Sequence, residues 1–114
     1  MRLHGVCIQT HNIAKLVDFY KKVFEQEPDV DGGVDYRFYE AQLIIFKLEV
    51  DKAPSTKNAA LIYAVDDVDY EYNRLVNLEI RIPSPPTDKP WDVRSFIFDD
   101  PDGNTVSFMV NINK

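Results

Sequence analysis

The same order of elements can be read twice along this chain, and that repetition limits the possible architectures more than any single motif. LHGVCIQT (3–10) mixes apolar and small residues over the length of a strand, and HNIAKLVDFYKKVFE then changes period. Ile13, Leu16, Val17, Tyr20, Val23 and Phe24 fall at helical spacing, with Asn12 placed to cap the start. About half the chain later AALIYAV reads as a strand. DDVDYEYNRLVNL follows as a helix, with Asp67 at the cap and Val68, Tyr72, Leu75, Val76 and Leu78 as its apolar and aromatic positions.

Each helix is followed by strands. In the first half, DGG at 31–33 marks a turn, DYRFYEA and QLIIFKLEV read as an antiparallel pair, and a short extra strand falls near 27–30. In the second, EIRIP reads as a short strand and PSPPTDKPWD as a Pro-rich loop, and VRSFIFDD and NTVSFMVNI form a hairpin across DPDG. Two long copies do not make a solenoid, so two modules packing side by side on a shared sheet is the simpler solution. The expected fold is α+β: two βαβββ modules in a single domain, 1–114. The first covers about 1–50 and the second about 59–114, with the polar linker DKAPSTKN at 51–58 between them.

Composition narrows the class. With 114 residues, 45% of them hydrophobic, the chain can bury one packed core. No stretch approaches the roughly 18 consecutive apolar residues of a spanning helix, and MRLHGVCIQT lacks the apolar segment of a signal peptide. No membrane association and a cytoplasmic setting are the expectations. The one cysteine, Cys7, makes no intrachain disulfide and supplies no zinc-type spacing. A formal charge of −6 argues against nucleic acid, whose phosphates need Lys and Arg, and favours cationic over anionic ligands.

The paired modules, NIAKLVDFYKKVF after the first strand, PW followed by RSFIF, and DPDGN before the last strand resemble the vicinal oxygen chelate superfamily. That family includes glyoxalase I, the extradiol dioxygenases, the fosfomycin-resistance enzymes and the bleomycin-resistance proteins. The resemblance covers nearly the whole chain. It implies a curved, mostly antiparallel sheet with the helices on its convex side. In the metal-dependent members it implies four ligands, one from the first and one from the last strand of each module. Carried over, those positions are Gly5, a residue near Ile44, Ala60 and Ser107, which do not make a divalent-metal site. His4 lies one residue off the matching position, and one residue along a strand reverses its face. His11 reads as solvent-facing beside the helix cap.

If Gly5 faces the concave side, so do Cys7 and Gln9, leaving Val6 and Ile8 to pack on the helix. If Ala60 does, so do Ile62 and Ala64, with Leu61, Tyr63 and Val65 on the helix side. Closing the last turn with Asp100 opposite Gly103 pairs Phe98 with Thr105, Phe96 with Ser107 and Arg94 with Met109, all on the pocket face. The expected ligand-binding set is therefore Cys7, Gln9, Ile62, Trp91 at the rim, Arg94, Phe96, Phe98, Ser107 and Met109. Arg94 is the candidate anchor for an anionic group, with an ion pair to a carboxylate as its structural alternative. Cys7 reads as a buried, inert thiol.

Two functions follow from the resemblance. One is that of the metal-independent bleomycin-resistance-like branch, without cofactor, which binds or sequesters an aromatic or cationic small molecule at a groove of a homodimer. In that case the protein is not an enzyme. The other is a metal-dependent lyase, isomerase or dioxygenase using non-standard donors such as His4 after a bulge, Glu40, Gln42 or Glu49. The natural ligand is not legible in the sequence.

Overall fold

Each helix begins where a short side chain captures an amide that the helix itself cannot bond. Strand β1 (Val6–Thr10) runs into helix α1 (Ile13–Phe24) through a turn in which the Asn12 amide donates to the Thr10 hydroxyl at 3.1 Å. The Lys15 amide donates to Asn12 Oδ1, also at 3.1 Å. Strand β5 (Ala60–Ala64) leads to helix α2 (Val68–Asn77) in the same way, with the Tyr70 amide donating to Asp67 Oδ1 at 3.0 Å. Both helices also end alike, on a glutamate in left-handed conformation: Glu25 at φ +53° and Glu79 at φ +65°. The amides of Gln26 and Ile80 then reach back to the carbonyls of Lys21 and Leu75.

The structure, a computed structural model, describes residues 5–33, 35–39, 42–47 and 60–112. The chain divides into two compact units, Met1–Thr56 and Lys57–Lys114. The first contains β1, α1, β2 (Val30–Asp31), β3 (Asp35–Phe38) and β4 (Leu43–Lys47), with sheet order β1-β4-β3-β2. The second contains β5, α2, β6 (Thr87–Asp88), β7 (Val93–Asp99) and β8 (Thr105–Asn111), with order β5-β8-β7-β6. In each unit the first and last strands pair in parallel and the other two pairings are antiparallel. The repeat read from the sequence is thus a repeat of topology. The linker at 51–58 lies outside the described residues.

One strand is not where the sequence places it. Residues 79–82 of EIRIP are not in a strand, because Glu79 and Ile80 are used to close the end of α2. The fourth strand of that unit is β6, inside the Pro-rich stretch.

The first unit buries Leu16, Val17, Tyr20 and Val23 of α1 together with Ile8, Phe38, Leu43 and Ile45 of the sheet. Phe24 meets Phe38 edge-on at 5.3 Å. In the second unit Val68 and Leu75 of α2 are buried with Phe96, Phe98, Val106 and Phe108. Tyr72 of α2 stands edge-on to Phe96 at 5.6 Å, and Phe98 to Phe108 at 5.4 Å. Each such side chain contributes about 1.5–3 kcal/mol by leaving water. Among the described residues no helix is long and apolar enough to cross a membrane.

The β7–β8 hairpin closes one residue later than the sequence reading places it. The Asp100 amide donates to the Asn104 carbonyl at 2.9 Å, and the Gly103 amide donates to the Asp100 carbonyl at 2.9 Å. The buried Asp100 carboxylate accepts from the Asp102 and Asn104 amides, each at 2.9 Å, and from Asn104 Nδ2 at 2.8 Å. Gly103, at φ +85°, supplies the left-handed residue this loop requires. Phe98 therefore pairs with Val106, Phe96 with Phe108 and Arg94 with Val110. A slip of one residue turns every side chain of a strand to the other face, so this closure decides what each face of the sheet carries.

We expect Asp100→Ala to cost about 2–3 kcal/mol, since three donors lose a charged acceptor. Urea unfolding checks this as a lower midpoint at unchanged slope. A midpoint equal to the parent's would mean that loop length alone sets the register.

Candidate functional site

Parallel and antiparallel pairing together arrange the helix-free face of the second sheet in rungs. Ser107 stands between Ile62 on β5 and Ile97 on β7. On one side of that rung Thr105 lies between Ala60 and Asp99. On the other Met109 lies between Ala64 and Ser95, and Ser95 in turn pairs with Thr87 of β6. Ile62 and Ile97 are 67% and 54% exposed, large values for isoleucines on a sheet face. Ala60 and Ala64 are exposed as well, while Ser107, Met109 and Thr105 are half-buried.

The expected site residues divide on this geometry. Ile62, Ser107 and Met109 share the helix-free face. Phe96 and Phe98 do not. They point to α2, buried in the core, because the hairpin register is one residue removed from the one expected. Arg94 is on the α2 side too and is committed there. Its Nε and Nη2 donate to both oxygens of Asp69 in the first turn of α2, at 3.0 and 2.9 Å, and Nη1 donates to Asp88 of β6 at 3.0 Å. The guanidinium's fork geometry is thus used by two carboxylates, and Arg94 offers no anchor to an anionic ligand on the opposite face.

These hydrogen bonds, with Asp69 as the main partner, hold the guanidinium well above its usual range. The Arg94 hydrogen bonds in turn hold the Asp69 carboxyl below its ordinary value. Trp91 sits in the turn joining β6 to β7, where the Asp92 amide donates to the Lys89 carbonyl and Asp92 takes φ +64°. It is 68% exposed.

Ile97 and Asp99 of this face were missed from the sequence, although a signal existed. In VRSFIFD the two phenylalanines alternate with Ser95, Ile97 and Asp99, and the polar members of the odd set mark it as the side away from the helix.

The first sheet has its own helix-free face, with Cys7, Ile44, Arg37 and Val30 on one rung and Gln9, Phe46 and Asp35 on the next. Arg37 Nε donates to Asp35 Oδ2 at 2.9 Å. Cys7 and Gln9 share this face as expected, but Cys7 is exposed, not buried, because its side chain points away from α1. Desolvation by its neighbours still pushes the thiol's pKa up, which leaves it protonated and a poor nucleophile at neutral pH. His11 is exposed.

Cys7 pairs with Ile44 in the first unit as Ile62 pairs with Ser107 in the second, so Ile44 and Ser107 occupy matching places on the last strands. Of Gly5, Ile44, Ala60 and Ser107 only the last has a side-chain oxygen, a set that does not fit a divalent metal. Among the described residues no three His, Cys, Asp or Glu side chains converge as a metal site. His4, Glu40 and Glu49 lie outside the described residues. Gln42 is exposed, and its carbonyl accepts from the Val6 amide at 2.8 Å.

The family model described as Glyoxalase/Bleomycin resistance protein/Dioxygenase superfamily matches residues 2–108. Among solved structures, one described as a conserved domain protein superposes with a TM-score of 0.85 at 20% identity, covering 97% of this chain and 99% of its own. A glyoxalase/bleomycin resistance protein/dioxygenase from Nocardioides gives 0.76 at 20% identity, with 96% and 82% covered. Lactoylglutathione lyase from Agrobacterium tumefaciens gives 0.74 at 18% identity, with 96% and 92% covered. At these identities the likeness is one of fold. Comparison with curated proteins gives no match.

The Arg94–Asp69 pair generates a pH prediction. A carboxylate whose folded-state pKa is depressed adds stability above the ordinary carboxylate range and loses it as pH falls through the folded value. Asp69→Asn should therefore lower the urea midpoint slightly near neutral pH. Once the pH has fallen through the depressed folded value, where the parent carboxyl is protonated too, the two proteins should converge. Parallel curves throughout would show that the pair contributes nothing to the acid transition.

Proposed function

Because the chain belongs to the Glyoxalase/Bleomycin resistance protein/Dioxygenase superfamily, we propose that it is a metal-independent small-molecule binding protein, closest in character to the bleomycin-resistance-like branch. The observation that carries this reading is the set Gly5, Ile44, Ala60 and Ser107, where metal-dependent relatives would hold their ligands. Three of the four offer no donor atom, and small side chains there leave room on a sheet face. The ligand floor is the helix-free side of the second sheet, where Ile62 and Ile97 flank Ser107, apolar with a few placed hydroxyls, as small-molecule sites usually are. Binding or sequestration there requires no cofactor, and the unpaired thiol of Cys7 suits a cytoplasmic setting.

Elemental analysis after extensive dialysis tests the reading. We expect well under one equivalent of divalent metal per chain, with Trp91 fluorescence responding saturably to aromatic or cationic amphiphiles. About one equivalent of zinc, nickel, iron or manganese would shift the assignment to the second reading, a lyase, isomerase or dioxygenase. The fold likeness to a lactoylglutathione lyase keeps that reading in view.

The partner we propose is a second copy. Ile62 and Ile97, with Ala60 and Ala64 beside them, form an apolar surface open to water in one chain, and association that roofs it would leave two equivalent grooves about a twofold axis. Sedimentation at micromolar concentration should give a dimer. A monomer there, with the ligand response intact, would confine the site to one chain.

A further inference from the structure

The correction of the β7 register changes the chemistry of the second unit's helix-free face. Among the described residues the face includes Ala60, Ile62, Ala64, Ser95, Ile97, Asp99, Thr105, Ser107 and Met109, with Thr87, Val93 and Asn111 toward its edges, and none of these strand positions is aromatic. Arg94, the one basic residue in β5, β7 or β8, is on the other side, held by Asp69 and Asp88. Among the described residues Asp99 is the one charged side chain of this face. It is exposed, and it has no hydrogen-bond or ion-pair partner among the described residues, in contrast to the neighbouring Asp100 with its three donors. Two residues along a strand span about 7 Å, so the carboxylate lies roughly that far from the exposed Ile97.

We infer that Asp99 sets the charge specificity of this face, selecting an amphiphile whose single positive centre sits about 7 Å from an aliphatic body that lies over Ile62 and Ile97. The inference rests on the reading of the face as a ligand floor. Anions are rejected because no described residue of this face offers them a cation and Asp99 repels them. The apolar body is aliphatic because the face presents methyl and methylene groups and no ring for stacking or cation–π contact. Ser107, between the two isoleucines, and Thr105, beside Asp99, can hydrogen-bond a polar link between the two parts.

Three probes with one alkyl chain test this: octyltrimethylammonium, the neutral octyl alcohol and octyl sulfate, each below its micelle concentration. The readout is the isoleucine methyl spectrum, with signals assigned through Ile62→Val and Ile97→Val. We expect all binding to perturb the Ile62 and Ile97 methyls, with the cation about fivefold tighter than the alcohol at low salt and the sulfate weaker again. Asp99→Asn, an exposed and nearly isosteric change, should bring the three within about twofold of one another. Equal affinities in the parent, or an unchanged preference in Asp99→Asn, would overturn the inference while leaving the face a ligand floor. Methyl signals indifferent to all three probes would overturn both. So would signals that ignore them but shift with protein concentration, which would mean that a second copy occupies the face.

Discussion

The three hydrogen bonds that converge on the Asp100 carboxylate govern the second unit. By drawing in the amides of Asp102 and Asn104, the buried carboxylate makes Asn104, not Gly103, the residue opposite it, and the pairing of β7 with β8 follows. That pairing turns Phe96, Phe98 and Phe108 toward α2, where their rings make the core together with Val106. It also brings Arg94 under the first turn of α2, within reach of Asp69.

The dependence explains what was legible in the sequence. Helix starts are local events, written in the cap residues Asn12 and Asp67 and in the apolar spacing behind them, and both appear where expected. The faces of β1 and β5 are also local, since alternation within one strand suffices, and Cys7, Gln9 and Ile62 lie on the helix-free sides. Register across a turn is a different kind of quantity. DPDGN closes a hairpin in either of two ways that differ by one residue, and the choice is made by hydrogen bonds to a side chain. EIRIP failed for a related reason. Its alternation suits a strand, but Glu79 and Ile80 are recruited to end the helix before them.

The open face of the second unit that emerges is aliphatic, hydroxylated and singly charged, not aromatic with a basic anchor. The change bears on mechanism, because the sequence reading offered an arginine and ring faces for recognition. What remains is shape, apolar area and one carboxylate. On the proposed reading, such a surface would discriminate by charge and by length.

The parallel strand pair has a consequence for how the unit is made. In the order β5-β8-β7-β6 the last strand in sequence is an inner one, lodged between the first and the third. A ribosome delivers β5 and α2 early, but the floor on which α2 rests contains Val106 and Phe108, which emerge last. Until then the helix has only the rings of β7 to cover its apolar stripe, and β5 has no neighbour to bond. The unit closes like a zip fastener whose slider is inserted at the end. Its nascent form leaves an apolar strand edge open for nearly the whole of its synthesis, which is the interval in which chaperones or a wrong pairing would compete for it.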